Sequence, residues 1–212
     1  MNQYLHQLTL RLAAGVLQLP EATRQVHAAY TRSRQRADGG FPGREGDSDL
    51  YYTGFALRSL FVLGELSGPP AERAADFLRT RFQLGQSQNV LDLLSLIYGA
   101  ALLDSSAGID VLAEQAPSWR DAAAESLEQL RRDDGGYAKS REGRAGSTYQ
   151  SFLVTLCLQL LDRPLPQPER LVEFTLSQRC KTGGFRDVRA AQRAGTNPTA
   201  AGIGALQLLG AL

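Results

Sequence analysis

Two kinds of apolar pattern alternate along the chain. In residues 20–35, 69–83, 118–132 and 168–179, apolar positions recur every three or four residues among many charges. That spacing predicts amphipathic helices with one buried face. Between them lie LYYTGFALRSLFVLGEL, VLDLLSLIYGAALL, STYQSFLVTLCLQLL and PTAAGIGALQLLGAL, apolar nearly all round. Helices apolar on every side are predicted to be buried on every side. An inner set of greasy helices wrapped by an outer amphipathic set satisfies both patterns. No segment predicts β-structure. Residues 1–18 add an N-terminal helix, with Leu5, Leu8, Leu12, Val16 and Leu17 at helical spacing. Pro20, Pro70 and Pro168 suit first helical turns, and Ser118 suits a helix cap.

Glycine corners separate the two patterns. DGGF (38–41), DGGY (134–137) and TGGF (182–185) each follow an amphipathic helix. Their aromatics, Phe41, Tyr137 and Phe185, are 96 and then 48 residues apart. A period of 48 places a degenerate copy near 85–89, around Asn89. A fixed period of this size marks a repeat array. One domain over 1–212 is expected, with corners near 38–41, 85–89, 134–137 and 183–185. Two glycines permit φ > 0 and close backbone approach, and Asp38 and Asp134 can accept local N–H bonds that hold each turn. No GxGxxG or P-loop spacing follows the glycines.

Composition narrows this little. The 212 residues suffice for one real core. With 23 Lys plus Arg against 22 Asp plus Glu, the formal charge of +1 marks no nucleic-acid partner. No run of about 18 uncharged apolar residues predicts a membrane span. The N-terminus lacks an export signal's basic start. Cys157 and Cys180 form no CxxC pair, and a reducing, cytoplasmic setting fits them. His6 and His27 read as surface residues, and Cys157 as a small apolar group in a buried helix.

Q-x3-G-x-aromatic at Gln35, Gly39 and Phe41 resembles the repeat shared by squalene cyclases and protein prenyltransferase β subunits. DGGFPGREGDSDLYYTGFALRSL is similar to a β-subunit repeat, and TGGFRDVRAAQRAGTNPTAAGIGAL to later ones. The similarity covers roughly residues 20–212, and stand-alone bacterial proteins with this repeat look closer still. The resemblance implies an all-α fold, an α/α toroid around an apolar cavity that holds an isoprenoid chain or polyene. About four helix pairs are counted here, against about six in a closed family toroid. An open ring, a ring closed by another copy or a partner protein, and a fragment of a longer protein are all compatible.

The family's chemistry carries over only in part. The resemblance implies zinc ligands Asp and Cys in a D-G-C-aromatic turn, and a His at a later inner-helix start. Asp134 matches, but Gly136 stands in the Cys position and Pro198 in the His position; in the first repeat Tyr52 stands there. No cofactor is expected, zinc included. For the family's diphosphate clamp, Arg131 and Tyr137 match, with Arg132 adjacent, but Glu128 takes another basic position. The cyclases' D-x-D-D acid is approached by Asp47 and Asp49, with Leu50 where the last acid would be. Those two also read as a helix N-cap. Candidate catalytic residues are therefore Asp134, Asp47 and Asp49, and candidate ligand-binding residues Arg131, Tyr137, Tyr52, Phe55, Tyr98, Tyr149 and Phe152, with Tyr51 beside them. The expected function is binding of an isoprenoid or other apolar chain, catalysis being left open. The alternatives are a non-catalytic interaction scaffold, with Leu206, Leu208, Leu209 and Leu212 as its flank, and a transferase active only with a partner.

Overall fold

A computed structural model describes residues 4–85 and 89–212. Among these the chain is all-α, with helices α1 (Tyr4–Val16), α2 (Glu21–Ser33), α3 (Leu50–Val62), α4 (Gly68–Gln83), α5 (Val90–Ala107), α6 (Trp119–Glu128), α7 (Thr148–Leu160), α8 (Pro168–Ser177) and α9 (Thr196–Leu208). The chain divides into two compact units, Met1–Gln115 and Ala116–Leu212.

In the first unit α3 packs on α1, α2 and α5, and α4 packs on α5. Leu57 and Leu60 of α3, Leu78 of α4 and Leu96 and Leu103 of α5 are fully buried, each stabilising the fold by about 1.5–3 kcal/mol. Gly99 lets α5 approach closely. A Cβ there would stand 3.1 Å from Leu57 Cδ1 and 3.2 Å from Leu78 Cδ1. α5 is long and apolar enough by composition to cross a membrane, but half of it is buried inside the protein, as a core helix requires.

In the second unit α9 packs on α7 and α8. A Cβ on Gly202 would meet the Phe185 ring at 2.8 Å, and one on Gly204 the Phe152 ring at 2.6 Å. The small residues of α9 are thus seats for aromatic rings. Cys157 is fully buried in α7, and burial pushes its thiol pKa well up.

The corners share one construction. The N–H of Gly39, Gly135 and Gly183 bonds back to Arg36, Arg132 and Cys180, and the same three residues donate to the carbonyls of Gly40, Gly136 and Gly184. The φ values of Gly39, Gly135 and Gly183 are +85°, +89° and +94°, a region strained for any side chain. Each aromatic N–H then bonds an inner-helix hydroxyl: Phe41 to Thr53 (2.9 Å), Tyr137 to Ser151 (2.9 Å) and Phe185 to Thr199 (3.0 Å). Asp38 accepts from Gly40 N–H, and Asp134 from Gly136 and Gly146 N–H. Of the second corner, residues 86–88 lie outside the described residues. Asn89 caps α5 by accepting from Leu91 and Asp92 N–H.

Several expectations are corrected. A short ladder does form, β1 (Phe41–Pro42) antiparallel to β2 (Ser48–Asp49), because the chain must double back between an outer and an inner helix. α3 is not buried all round: Tyr52 is 44% and Phe55 51% exposed, since none of the described elements of its unit covers that side. α1 buries Leu5 and Thr9 while Leu8 and Leu12 stay exposed, because the Thr9 hydroxyl bonds the Tyr98 hydroxyl. Ser118 makes no side-chain cap. Its φ and ψ of −78° and −7° are already helical, whereas a capping side chain needs extended backbone. Leu206 is buried rather than part of an exposed flank, while Leu212 is exposed.

Candidate functional site

The first unit holds a cleft of about 410 Å³ between the end of α2, the loop after the first corner and the start of α3. Its walls are Tyr30, Thr31 and Arg34 from α2 and its cap, Phe41, Pro42, Gly43 and Arg44 from the loop, and Tyr52 and Ala56 from α3. Local rules place each group. α2 ends at Arg34, its C-cap, so that side chain leaves the helix at the cleft's rim. The corner returns the chain, and β1 carries it past α3. Asp49 caps α3 by accepting from Tyr52 N–H at 2.7 Å, which sets Tyr52 in the first turn. The Tyr52 ring lies on Gly43, where a Cβ would be 2.4 Å from Cε2. A side chain at 43 would push the ring away.

Four polar groups of the cleft are unengaged among the described residues: the guanidiniums of Arg34 and Arg44 and the hydroxyls of Tyr30 and Tyr52. The Thr31 hydroxyl instead bonds back to the His27 carbonyl. Beside the cleft an aromatic edge runs along α3. The Tyr51 ring meets Tyr52 edge-on at 5.2 Å and Phe55 at 4.8 Å. Cationic donors next to exposed aromatic surface suit a ligand with an anionic head and an apolar body.

The second unit brings Arg131 and Tyr137 together, in a different role. The Arg131 guanidinium lies 4.5 Å over the Tyr137 ring, pairs with Glu128, and donates to the carbonyls of Gly135 and Pro166. The fully buried Tyr137 donates to Glu128 at 2.8 Å. Burial first, and then the Glu128 bond, push the phenol's pKa far up. Arg132 is likewise engaged, by the carbonyls of Ser140, Arg141 and Gly143. Both Asp134 oxygens hold the corner, Oδ1 at 3.1 Å from Gly136 N and Oδ2 at 3.0 Å from Gly146 N. A Cβ on Gly136 would stand 2.6 Å from the Phe174 ring.

The other candidates are dispersed. Asp49 is engaged as a cap, and Asp47 is exposed in the loop before it. Tyr98 is buried and donates to the Leu5 carbonyl at 3.2 Å, tying α5 to α1. Tyr149 and Phe152 belong to α7 of the second unit; the Tyr149 N–H donates to Asp187, and Phe152 packs on Gly204. The sequence reading missed Tyr30, Arg34, Gly43 and Arg44. Two arginines bracketing the first corner, ten residues apart, were the available signal.

In comparisons with known proteins, the model of the prenyltransferase alpha-alpha toroid domain matches residues 4–186 and, overlapping, 114–212. No curated protein matches the chain.

Proposed function

Because the chain belongs to the prenyltransferase α/α-toroid family, we propose that its first unit binds an isoprenoid or similar apolar chain carrying an anionic head. The observation that carries this reading is the pair of unengaged guanidiniums, Arg34 and Arg44, facing one cleft with two unengaged tyrosine hydroxyls. The head would take the arginines, which grip phosphate or carboxylate through charge-assisted bonds. The chain would lie along Tyr51, Tyr52 and Phe55.

The zinc-dependent chemistry of such proteins does not fit this chain. Asp134 already accepts two N–H bonds, and the Phe174 ring fills the space a Cys side chain at 136 would need. Pro198 offers no donor. The reading is therefore one of binding, without a metal-activated thiolate. Cys157 and Cys180 are not joined in a disulfide, which suits a reducing compartment.

The test is binding of a prenyl diphosphate, the matching prenyl alcohol and inorganic diphosphate, followed by native mass spectrometry and melting temperature. The diphosphate ester binds most tightly. Arg34→Ala and Arg44→Ala each weaken it about 10- to 100-fold, the equivalent of one charge-assisted bond at ~1.5–3 kcal/mol. Failure of all three compounds to bind, or equal binding by the double variant, refutes the reading.

A further inference from the structure

Two loops of the second unit meet at the starts of its inner helices. Residues 138–146 lead from the DGGY turn into α7, and residues 186–195 lead from the TGGF turn into α9. The later loop crosses the start of α7. The Asp187 carboxylate accepts from the Ser147 hydroxyl (2.7 Å) and the Tyr149 N–H (3.0 Å), and its carbonyl accepts from the Thr148 N–H (2.7 Å). The Thr148 hydroxyl donates to the Arg186 carbonyl at 2.8 Å. With α7 packed on α9, the loops lie side by side at the edge where both helices begin.

That edge is basic. The whole chain carries a formal charge of +1, yet these two loops hold six Lys and Arg against two acids. Of the acids, Asp187 is bound up in the start of α7. Glu142 is held below its ordinary range, first by its own N–H and then by the Ser140 hydroxyl, so it stays charged and offsets one cation. Arg186 is engaged by Gln178 and the Ser177 carbonyl. Lys139, Arg141, Arg144, Arg189 and Arg193 are exposed, and their side chains make no hydrogen bond or ion pair among the described residues. Arg141 and Arg189 each stand four residues after the aromatic of their turn, Tyr137 and Phe185, so they occupy matching places on neighbouring loops. Arg132 holds the earlier loop in shape by donating to the Ser140, Arg141 and Gly143 carbonyls, which turns those carbonyls in toward a further cation. The N-terminal ends of α7 and α9 add their positive dipoles.

The chemistry of this edge selects among anionic partners. Apart from the half-buried Val188, neither loop carries an aromatic or large aliphatic side chain. A protein partner is gripped by buried aromatic or aliphatic anchors. Nucleic acid is read by stacking rings or by an element that enters a groove. A lipid headgroup surface needs only clustered cations, each attracted by charge. We propose that this edge of the second unit docks on an anionic phospholipid surface through Lys139, Arg141, Arg144, Arg189 and Arg193. The contact is peripheral and reversible. It goes beyond the ligand reading of the first unit and does not depend on it.

The test is co-sedimentation of the full chain with vesicles of phosphatidylcholine alone and of an equal mixture of phosphatidylcholine and phosphatidylserine. Neither contains a prenyl compound, so failure here and failure of the ligand reading are separate results. The protein sediments with the mixed vesicles only. Raising the ionic strength from about 0.1 M to about 1 M releases it, as the screening length falls from ~10 Å to ~3 Å. Arg141→Ala and Arg189→Ala each weaken partition about fivefold, and the double variant about 25-fold, as expected for cations that act near a charged bilayer. Arg11→Ala, which removes an exposed cation of the first unit, leaves partition unchanged. All three substituted side chains are exposed, and circular dichroism checks that each variant folds. Equal binding to both vesicle types, binding that the double variant keeps, or an equal loss in Arg11→Ala overturns the proposal. So does a chain that ignores the mixed vesicles and is retained instead by polyglutamate or duplex DNA.

Discussion

Two corner glycines of the second unit share a conformation and differ in what lies over them. Gly135 and Gly183 have φ of +89° and +94°, so alanine at either enters a left-handed region at a cost of about 1–2 kcal/mol. At Gly183 that is the whole effect, because the new Cβ meets nothing within 4 Å. At Gly135 the Cβ would stand 2.5 Å from the Arg170 carbonyl oxygen and 3.1 Å from its carbon. These are backbone atoms of α8, whose approach is tied down by the bond from Arg131 to the Pro166 carbonyl, and they yield only if the helix shifts. Overpacking of that kind costs a further ~1–3 kcal/mol. Gly135→Ala should therefore destabilise the second unit by roughly 2–5 kcal/mol and Gly183→Ala by about 1–2 kcal/mol. Both are measured by urea denaturation of the full chain. The reasoning is refuted if Gly135→Ala costs no more than Gly183→Ala.

Two other perturbations probe the first unit. Thr53→Val keeps shape but removes the buried hydroxyl that accepts from Phe41 N–H; leaving that N–H unpaired should cost about 1–3 kcal/mol in urea unfolding, and an unchanged midpoint would show the bond to be dispensable. Arg32 first, and then Gln25, hold the Glu65 carboxyl below its ordinary value of 4.5 through hydrogen bonds. A carboxylate with a lowered folded pKa contributes stability that is complete above the unfolded value and lost as pH falls through the folded one. Glu65→Gln should therefore flatten the stability profile below about pH 4.5. A variant whose acid limb parallels the wild type would disprove the linkage.

The alternation of helix classes was legible because it is local. Apolar spacing reports which face of a helix must leave water, and paired glycines report where a helix must stop. The helices therefore stand close to the stretches read from periodicity, and Asp38 and Asp134 brace their corners as their short side chains allow. The hydroxyls of Thr53, Ser151 and Thr199 repeat with the corners yet carried no signal. A serine or threonine early in a helix has many local uses, and only the fold brings it beneath an aromatic N–H twelve or fourteen residues back.

The candidate site was legible in its chemistry and not in its place. Arg131 and Tyr137 do meet, but Glu128, the last residue of α6 and three before Arg131, engages both. That contact depends on rotamers that spacing alone does not state. Arg34 and Arg44 were passed over because neither lies in a motif; they share a cleft only because the corner folds the chain back on itself. By itself the sequence determined the all-α class and the glycine turns at 38–41, 134–137 and 182–185, since these follow from short-range backbone and burial rules. Which faces stay uncovered, which cations lack partners and which glycines carry a helix were decided by tertiary packing. Those properties depend on atoms far apart along the chain, and no local pattern encodes the distance between them.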